Sequence, residues 1–343
     1  MSIPEKALRT FVADLFTAHG TSREHADTIA DVLVWANLRG IESHGVSRIP
    51  RYLELFASGE ANPRPEIGFD QPRSAVATLD ADAGPGPVAL TRAMDEAVSM
   101  ARSAGAAWVA VRGTVHTGAI GYYTERAAQY GMAGLGIVAG VPNMAYPGAA
   151  GPAVATSPLS IALPAGKHPT VLLDMATAVV ALGRIAVLKA RGGRLPEGAA
   201  VTADGHPTTD PASAAVPLPV GGAKGAGMSL LFDMLAGGLT LNPIVPAFHS
   251  GERRHRQNAL LMAIDVAAFT PVAEFRRTVD ETVEAIKSLP RTDPAAEILV
   301  PGERGARCLD ERLVSGVPVA AKLAGTLRTL AVESGVSVPE GLG

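Results

Sequence analysis

The sequence predicts an α/β core preceded by a helical region, and three observations carry that expectation. Between about residue 74 and residue 266, short apolar runs bounded by Gly, Pro or charge alternate with longer helical patterns. Before residue 60 the apolar residues recur instead at spacings of three and four. The two patterns meet at the proline-bearing run ANPRPEIG, residues 61–68, where the composition changes and a linker is expected. At 343 residues the chain has room for two domains, or for one with a large insertion.

Leu8, Phe11, Val12, Leu15 and Phe16 mark one face of a first helix that His19-Gly20 ends. Thr21 or Ser22 caps a second, with His25 and Ala26 in its first turn, running through Ile29, Val32 and Leu33 toward Arg39-Gly40. Residues 75–81 and 107–113 read as strands around a helix from Leu90 to Ser103. Residues 132–140, 159–165, 170–176 and 259–266 read as further buried strands. Val179 to Arg191, Met228 to Leu239 and Leu313 to Ser334 read as helices. The expected division is a helical domain of residues 1–72, joined by 306–343, beside an α/β domain of residues 73–305.

A hydrophobic content of 47% with 18% charged residues fits a well-buried globular chain. The net charge of −3 makes no electrostatic case for a nucleic-acid partner, and the short cluster Arg253-Arg254-His255-Arg256 reads as a solvated turn. The single cysteine, Cys308, excludes an intrachain disulfide and a Cys-based zinc site, and no H-E-x-x-H spacing points to another metal. The N-terminal stretch lacks the pattern of a signal peptide, and no run of about 20 residues is apolar enough to span a membrane. A cytoplasmic protein without membrane contact is expected.

Residues 41–52, IESHGVSRIPRY, hold the densest chemistry. His44, Arg48 and Tyr52 are spaced by four, which stacks side chains on one face of a helix, although Pro50 counts against an unbroken one. A proton carrier four residues from a guanidinium fork suits a site that holds a carboxylate and protonates a neighbouring oxygen. The alternative is an exposed polar face beside a turn. His116 stands between glycines in GTVHTGAIGYY just after a strand, either as a ligand contact or as a local turn histidine. Asp174 ends a buried strand, where it accepts from ribose hydroxyls or, more commonly, caps the following helix. Lys224 lies in the glycine-rich turn GGAKGAG and brings a point charge suited to phosphate or carboxylate, without the order of a P-loop. VPGERGARC, residues 300–308, reads as a similar charged loop after a strand.

Two glycine motifs fail as a Rossmann fingerprint. GPGPVA at Gly84–Ala89 matches G-x-G-x-x-A, but Pro85 and Pro87 remove backbone donors that a pyrophosphate would use. GLGIVAG at Gly134–Gly140 has the wrong spacing within a strand. A dinucleotide would therefore bind on another scaffold.

Taken in order, NLRGIESHGVSRIPRY, HTGAIGYYTERAAQYG, PNMAYPGAAGPAVATSPLSIALP, LLDMATAVVALGRI, DGHPTTDP, PVGGAKGAGMSLL and LVPGERG resemble the malate/L-lactate dehydrogenase family of the non-Rossmann type. That family includes sulfolactate, ureidoglycolate and diketogulonate oxidoreductases and reductases of piperideine-2-carboxylate. The resemblance implies an NAD- or NADP-dependent homodimer acting on a small carboxylate, through a non-Rossmann dinucleotide-binding α/β domain. It implies a proton-donor role for His44, supported by Ser43, and carboxylate binding by Arg48, with Tyr52 and Thr156 as further substrate contacts. His116 falls where family members place a proton acceptor or a cofactor contact. Thr117, Gly118, Ala119 and Ile120 fall at cofactor positions, as do Asp174, Met175, Ala176, Lys224, Pro301, Gly302, Glu303, Arg304 and Gly305. The family's GTNP reads ATSP at Ala155–Pro158, which alters the wall near Thr156. Where the imine reductases carry an aspartate that relays charge to the histidine, this chain has Arg184, favouring a 2-oxo or 2-hydroxy acid over the alternative, a cyclic imino acid.

Overall fold

The structure is a computed structural model that describes residues 2–252 and 256–342; the cluster residues Arg253, Arg254 and His255 lie outside the described residues. Strand β1 (Ser2–Ile3) leads into α1 (Glu5–Ala18) and α2 (Arg23–Leu38). The Ser22 hydroxyl accepts from the His25 N–H and so caps α2, one of the two caps expected. Two 3-10 turns, Glu42–His44 and Val46–Arg48, run into α3 (Ile49–Ala57). His44, Arg48 and Tyr52 therefore do not share one continuous helix. Pro50 is the reason, since it stands in the first turn of α3, where its missing N–H costs no hydrogen bond.

The α/β region comprises β2 (Gly68–Arg73), β3 (Val76–Asp80), α4 (Gly86–Ala104), β4 (Ala106–Thr114), α5 (Gly121–Gln129), β5 (Met132–Ala139), β6 (Leu159–Leu163) and β7 (Val171–Met175). It continues through α6 (Leu182–Arg191), the short strands β8 (Ala200–Val201), β9 (Pro207–Thr208) and β10 (Val216–Pro217), then α7 (Ala223–Leu239), α8 (Ile244–His249), β11 (Gln257–Asp265) and α9 (Val272–Lys287). The chain closes with α10 (Glu303–Ser315), β12 (Val317–Pro318) and α11 (Ala321–Glu333).

Seven strands form one sheet in the order β2-β3-β4-β11-β5-β6-β7. Only β3 and β4 pair in parallel; every other neighbour is antiparallel. Strand β11 reaches the centre from more than a hundred residues downstream and separates β4 from β5, which are neighbours in sequence. One apolar cluster joins Leu8, Phe16 and Leu33 of the first helices to Val317, Leu327 and Ala331 near the C-terminus. A second packs α4 residues such as Leu90 and Met94 against Leu79, Val109 and Leu261 of the sheet. Among the described residues, no helix is long and apolar enough to cross a membrane.

Two sequence expectations change. The span from Leu313 to Ser334 is broken at Gly316, whose φ of +84° ends α10 before β12 and α11. Residues Glu303, Arg304 and Gly305 begin α10 rather than lying in a loop, because Gly302 in the left-handed region turns the chain directly into a helix.

Candidate active site

The segment after α2 is shaped from within. Asn37, buried near the end of α2, accepts the Val46 N–H at 2.7 Å through its side chain, and Gly45 leaves room for that amide. This fixes the two 3-10 turns so that Ser43, His44 and Arg48 line one cleft of about 470 Å³. Arg48 donates from Nε to the Ser43 carbonyl at 2.5 Å. Among the described residues no carboxylate pairs with Arg48, and burial presses its pKa below the usual arginine value. The Ser43 hydroxyl lies 2.9 Å from His44 Nδ1. Burial first, and then the Arg48 charge, lowers the His44 pKa to about 4.

His116 follows β4 and stacks beside His44, with ring centroids 5.5 Å apart and planes inclined by 27°. Its Nδ1 accepts the Gly118 N–H at 3.2 Å. A backbone N–H can only donate, so the proton of the neutral ring sits on Nε2. The loop beneath it is locked by packing. A Cβ on Gly86, in the first turn of α4, would stand 2.5 Å from the His116 carbonyl oxygen and 2.4 Å from Thr117 Cα. The glycine of the failed dinucleotide motif thus serves close approach of protein backbone, not of a pyrophosphate.

Tyr52 is placed differently from the sequence reading. It is 1% exposed and absent from the cleft wall, and its hydroxyl donates to the His116 carbonyl at 3.0 Å while lying 2.9 Å from His116 Nδ1. It supports His116 from below instead of meeting substrate, and burial raises its pKa.

Thr117, Gly118, Ala119 and Ile120 line the cleft beside His116, as does Thr156, whose N–H donates to the Asn143 side chain at 2.9 Å. Asp174 and Ala176 also line it, whereas Met175 between them does not, as alternation along an extended chain requires. Asp174 accepts the Gly121 N–H at 2.8 Å, so it caps α5 across the sheet rather than the helix that follows it. Burial raises its pKa to about 6 against the lowering effect of that N–H and of Arg39.

Lys224 and the run Pro301–Gly305 stand outside the cleft wall. Lys224 is exposed in the first turn of α7, which begins at Ala223, earlier than the sequence suggested. Pro301 accepts the Leu172 N–H at 3.1 Å, which sets this run against β7 two residues before Asp174. Arg184 is exposed on α6 and is absent from the cleft wall.

Three polar wall residues escaped the sequence reading: Asn143, Arg256 and Gln257. Gln257 accepts the Thr117 N–H at 2.9 Å. The only signal for them was position, a polar residue past β5, just before β11 or at its first position. Arg256, read as part of a solvated turn, is a cleft residue. The walls also carry Val138, Pro158, Ala119, Ile120 and Ala176, an apolar lining beside two imidazoles that fits a flat, weakly polar ring such as nicotinamide.

A profile of the malate/L-lactate dehydrogenase family matches residues 3–328. The chain belongs to this family. It is 35% identical to a malate dehydrogenase of Pyrococcus abyssi, covering 97% of this chain and 95% of that protein. It is 30% identical to an NAD(+) ureidoglycolate dehydrogenase of Escherichia coli, covering 88% of each. The solved structure of sulfolactate dehydrogenase from Methanocaldococcus jannaschii superposes with a TM-score of 0.87 at 35% identity, covering 98% of each chain. The family resemblance seen in the motifs is therefore borne out, and with it an oxidoreductase built on a mixed α/β fold.

Proposed function

We propose that this protein is an NAD(P)-dependent oxidoreductase that interconverts a small 2-hydroxy acid and the corresponding 2-oxo acid, of malate, lactate or sulfolactate type. The observation that carries this is the half-buried Arg48, a cation without an acidic partner among the described residues, in one cleft with two stacked imidazoles. An unpaired buried charge is costly, and a bound carboxylate relieves that cost through a two-point grip.

Arg48 then orients the substrate's C1 carboxylate, which brings the C2 oxygen to the histidines. His44, neutral near pH 7, takes the hydroxyl proton during oxidation and returns it to the carbonyl oxygen during reduction. Ser43 fixes the ring through Nδ1 and leaves Nε2 for that transfer. His116 presents Nε2–H to the same oxygen or to the cofactor amide. The nicotinamide, when bound, supplies or accepts the hydride at its C4. Thr117, Gly118, Ala119, Ile120 and Ala176 would hold that end, and Asp174 with Pro301–Gly305 along β7 would hold the rest; Lys224 is assigned to the cofactor on family position alone. NAD is favoured over NADP by the NAD(+) dependence named for the Escherichia coli relative.

His44 meets a serine hydroxyl instead of a carboxylate, and Arg184 is exposed away from it, which favours an oxo acid over a cyclic imine. The separate apolar clusters support the division into a helical domain, completed by the C-terminal segment, and an α/β domain. The exposed apolar stripe Leu231, Met234, Leu235 and Leu239 on α7 supports a homodimer. A cytoplasmic location accords with the lone free Cys308.

The test is a panel of malate, lactate, sulfolactate, ureidoglycolate and a cyclic imine with NAD and NADP, followed by nicotinamide absorbance. Turnover of a hydroxy or oxo acid is expected. Turnover of the imine alone would overturn the reading.

A further inference from the structure

The end of α2 carries a buried cation that the chemistry above does not use. Arg39, the C-cap of that helix, is 7% exposed and pairs with Glu125 of α5, its Nη1 donating to Oε1 at 3.0 Å. The other Glu125 oxygen accepts from Trp35 Nε1 at 2.8 Å, and the guanidinium lies over the Trp35 ring, 5.1 Å from its centroid. A buried ion pair offsets its desolvation only where its geometry is held, and here one indole holds both partners. The guanidinium also meets the run 301–305. Its Nη2 donates to the Gly302 carbonyl at 3.4 Å, and a Cβ on Gly305 would stand 3.3 Å from its Nε.

Two of the segments assigned to the cofactor meet at Asp174. On one side, Gly121 at the start of α5 donates to the carboxylate, and a Cβ on Gly121 would press on both Asp174 and the Trp35 ring. On the other, Pro301 accepts the Leu172 N–H, and a Cβ on Gly302 would collide with the Leu172 backbone. Arg39 bridges the two sides, from Glu125 one turn along α5 to Gly302, and its charge helps keep Asp174 ionised. The two glycines of VPGERG gain a reason as well. Gly302, with φ of +87°, lies against β7, and Gly305 leaves room for the guanidinium.

We propose that Arg39 is a positioning residue for the dinucleotide, clamping α5 to the run 301–305 and so fixing the spacing of the two sides that close on Asp174. This rests on the functional reading above, in which Asp174 and Pro301–Gly305 hold the cofactor. Arg39 stands outside the cleft wall, so it acts through these segments on cofactor affinity and leaves Arg48 and His44 to the substrate. A spacing formed in advance lowers the ordering cost of binding.

The experiment titrates NADH and NADPH by nicotinamide fluorescence, keeping whichever the wild type binds more tightly, in wild type, Arg39→Lys, Arg39→Gln and Glu125→Gln. Arg39→Lys keeps the charge opposite Glu125 but gives up the planar fork that reaches Gly302, and is expected to raise Kd about 3- to 10-fold. Arg39→Gln also leaves Glu125 buried without its cation and should raise Kd about 10- to 100-fold, with Glu125→Gln falling between it and wild type. Arg39→Lys carries the test if Arg39→Gln does not fold. At saturating cofactor, kcat and the KM of the 2-oxo acid should stay within about twofold of wild type. In the cofactor-free proteins, amide exchange over residues 302–306 should be faster in Arg39→Lys than in wild type. Unchanged exchange overturns the clamp. An unchanged Kd overturns the proposal even if the melting temperature falls, because Arg39 would then be structural only. Equal losses in cofactor Kd and in oxo-acid KM overturn it too, as a general distortion of the cleft. If the wild type binds neither dinucleotide, the functional reading fails and takes the proposal with it.

Discussion

Reduction by this enzyme should depend steeply on pH across the neutral range, because of where His44 is buried. An unperturbed imidazole with a pKa of about 6.5 would be roughly one-quarter protonated at pH 7. Burial beside Arg48 lowers His44 to about 4. Its protonated fraction at pH 7 is then about 10⁻³, since each pH unit above the pKa costs a factor of about ten. Reduction needs the imidazolium as proton donor, whereas oxidation needs the neutral ring. The pH dependence of kcat/KM reports groups in the form that meets the substrate. With saturating NADH, kcat/KM for the 2-oxo acid is therefore expected to fall about tenfold per unit from pH 5.5 to 8. With saturating NAD, kcat/KM for the hydroxy acid should be flat over the same window. Absorbance of the reduced nicotinamide, read in constant-ionic-strength buffers, measures both limbs. A reduction profile that is level below pH 6 and bends near 6.5 would refute the reasoning, as it would mean that the cleft does not hold His44 in its neutral form. Loss of the pH dependence in His44→Gln, with a decrease in turnover of about 10²–10⁴-fold, would assign the slope to this ring.

Tyr52→Phe removes the hydroxyl that fastens His116 and is expected to lower kcat by about 2- to 10-fold, the worth of one buried hydrogen bond, with little change in the substrate KM. A rise in KM at unchanged kcat would restore Tyr52 to the role of substrate contact. Asp174, with its pKa raised to about 6 from an ordinary carboxylate value, holds a proton in the folded state that the unfolded chain releases. Its contribution to stability is thus present in full below about pH 4 and is lost as pH rises through about 6. Asp174→Asn should remove that decline while keeping an acceptor for the Gly121 N–H. Parallel melting-temperature curves for the two proteins between pH 4 and 6.5 would contradict this.

Much of the site was legible in the linear chain because its chemistry is local. Ser43, His44 and Arg48 lie within six residues, and the turn that presents them is set by neighbours such as Asn37 and Pro50. Most strands and helices were legible for the same reason, as short apolar runs and spacings of three and four report which face is buried. The rejection of GPGPVA as a nucleotide loop also came from the sequence, through its two prolines. What that glycine does was decided by the fold, which brings the His116 backbone within contact of Gly86.

Tertiary structure alone decided the remainder, because sequence patterns carry no information on which distant segments meet. It placed β11 between β4 and β5, and so brought Arg256, read as part of a solvated turn, and its neighbour Gln257 to the cleft wall. It buried Tyr52 under a histidine 64 residues away, converting an expected substrate contact into a support. It turned Asp174 toward α5 rather than the following helix, since the strand's alternation aims its side chain across the sheet. The depressed His44 pKa belongs to the same class: the residue type is written in the chain, but the desolvation that sets its charge exists only once the cleft has closed around it.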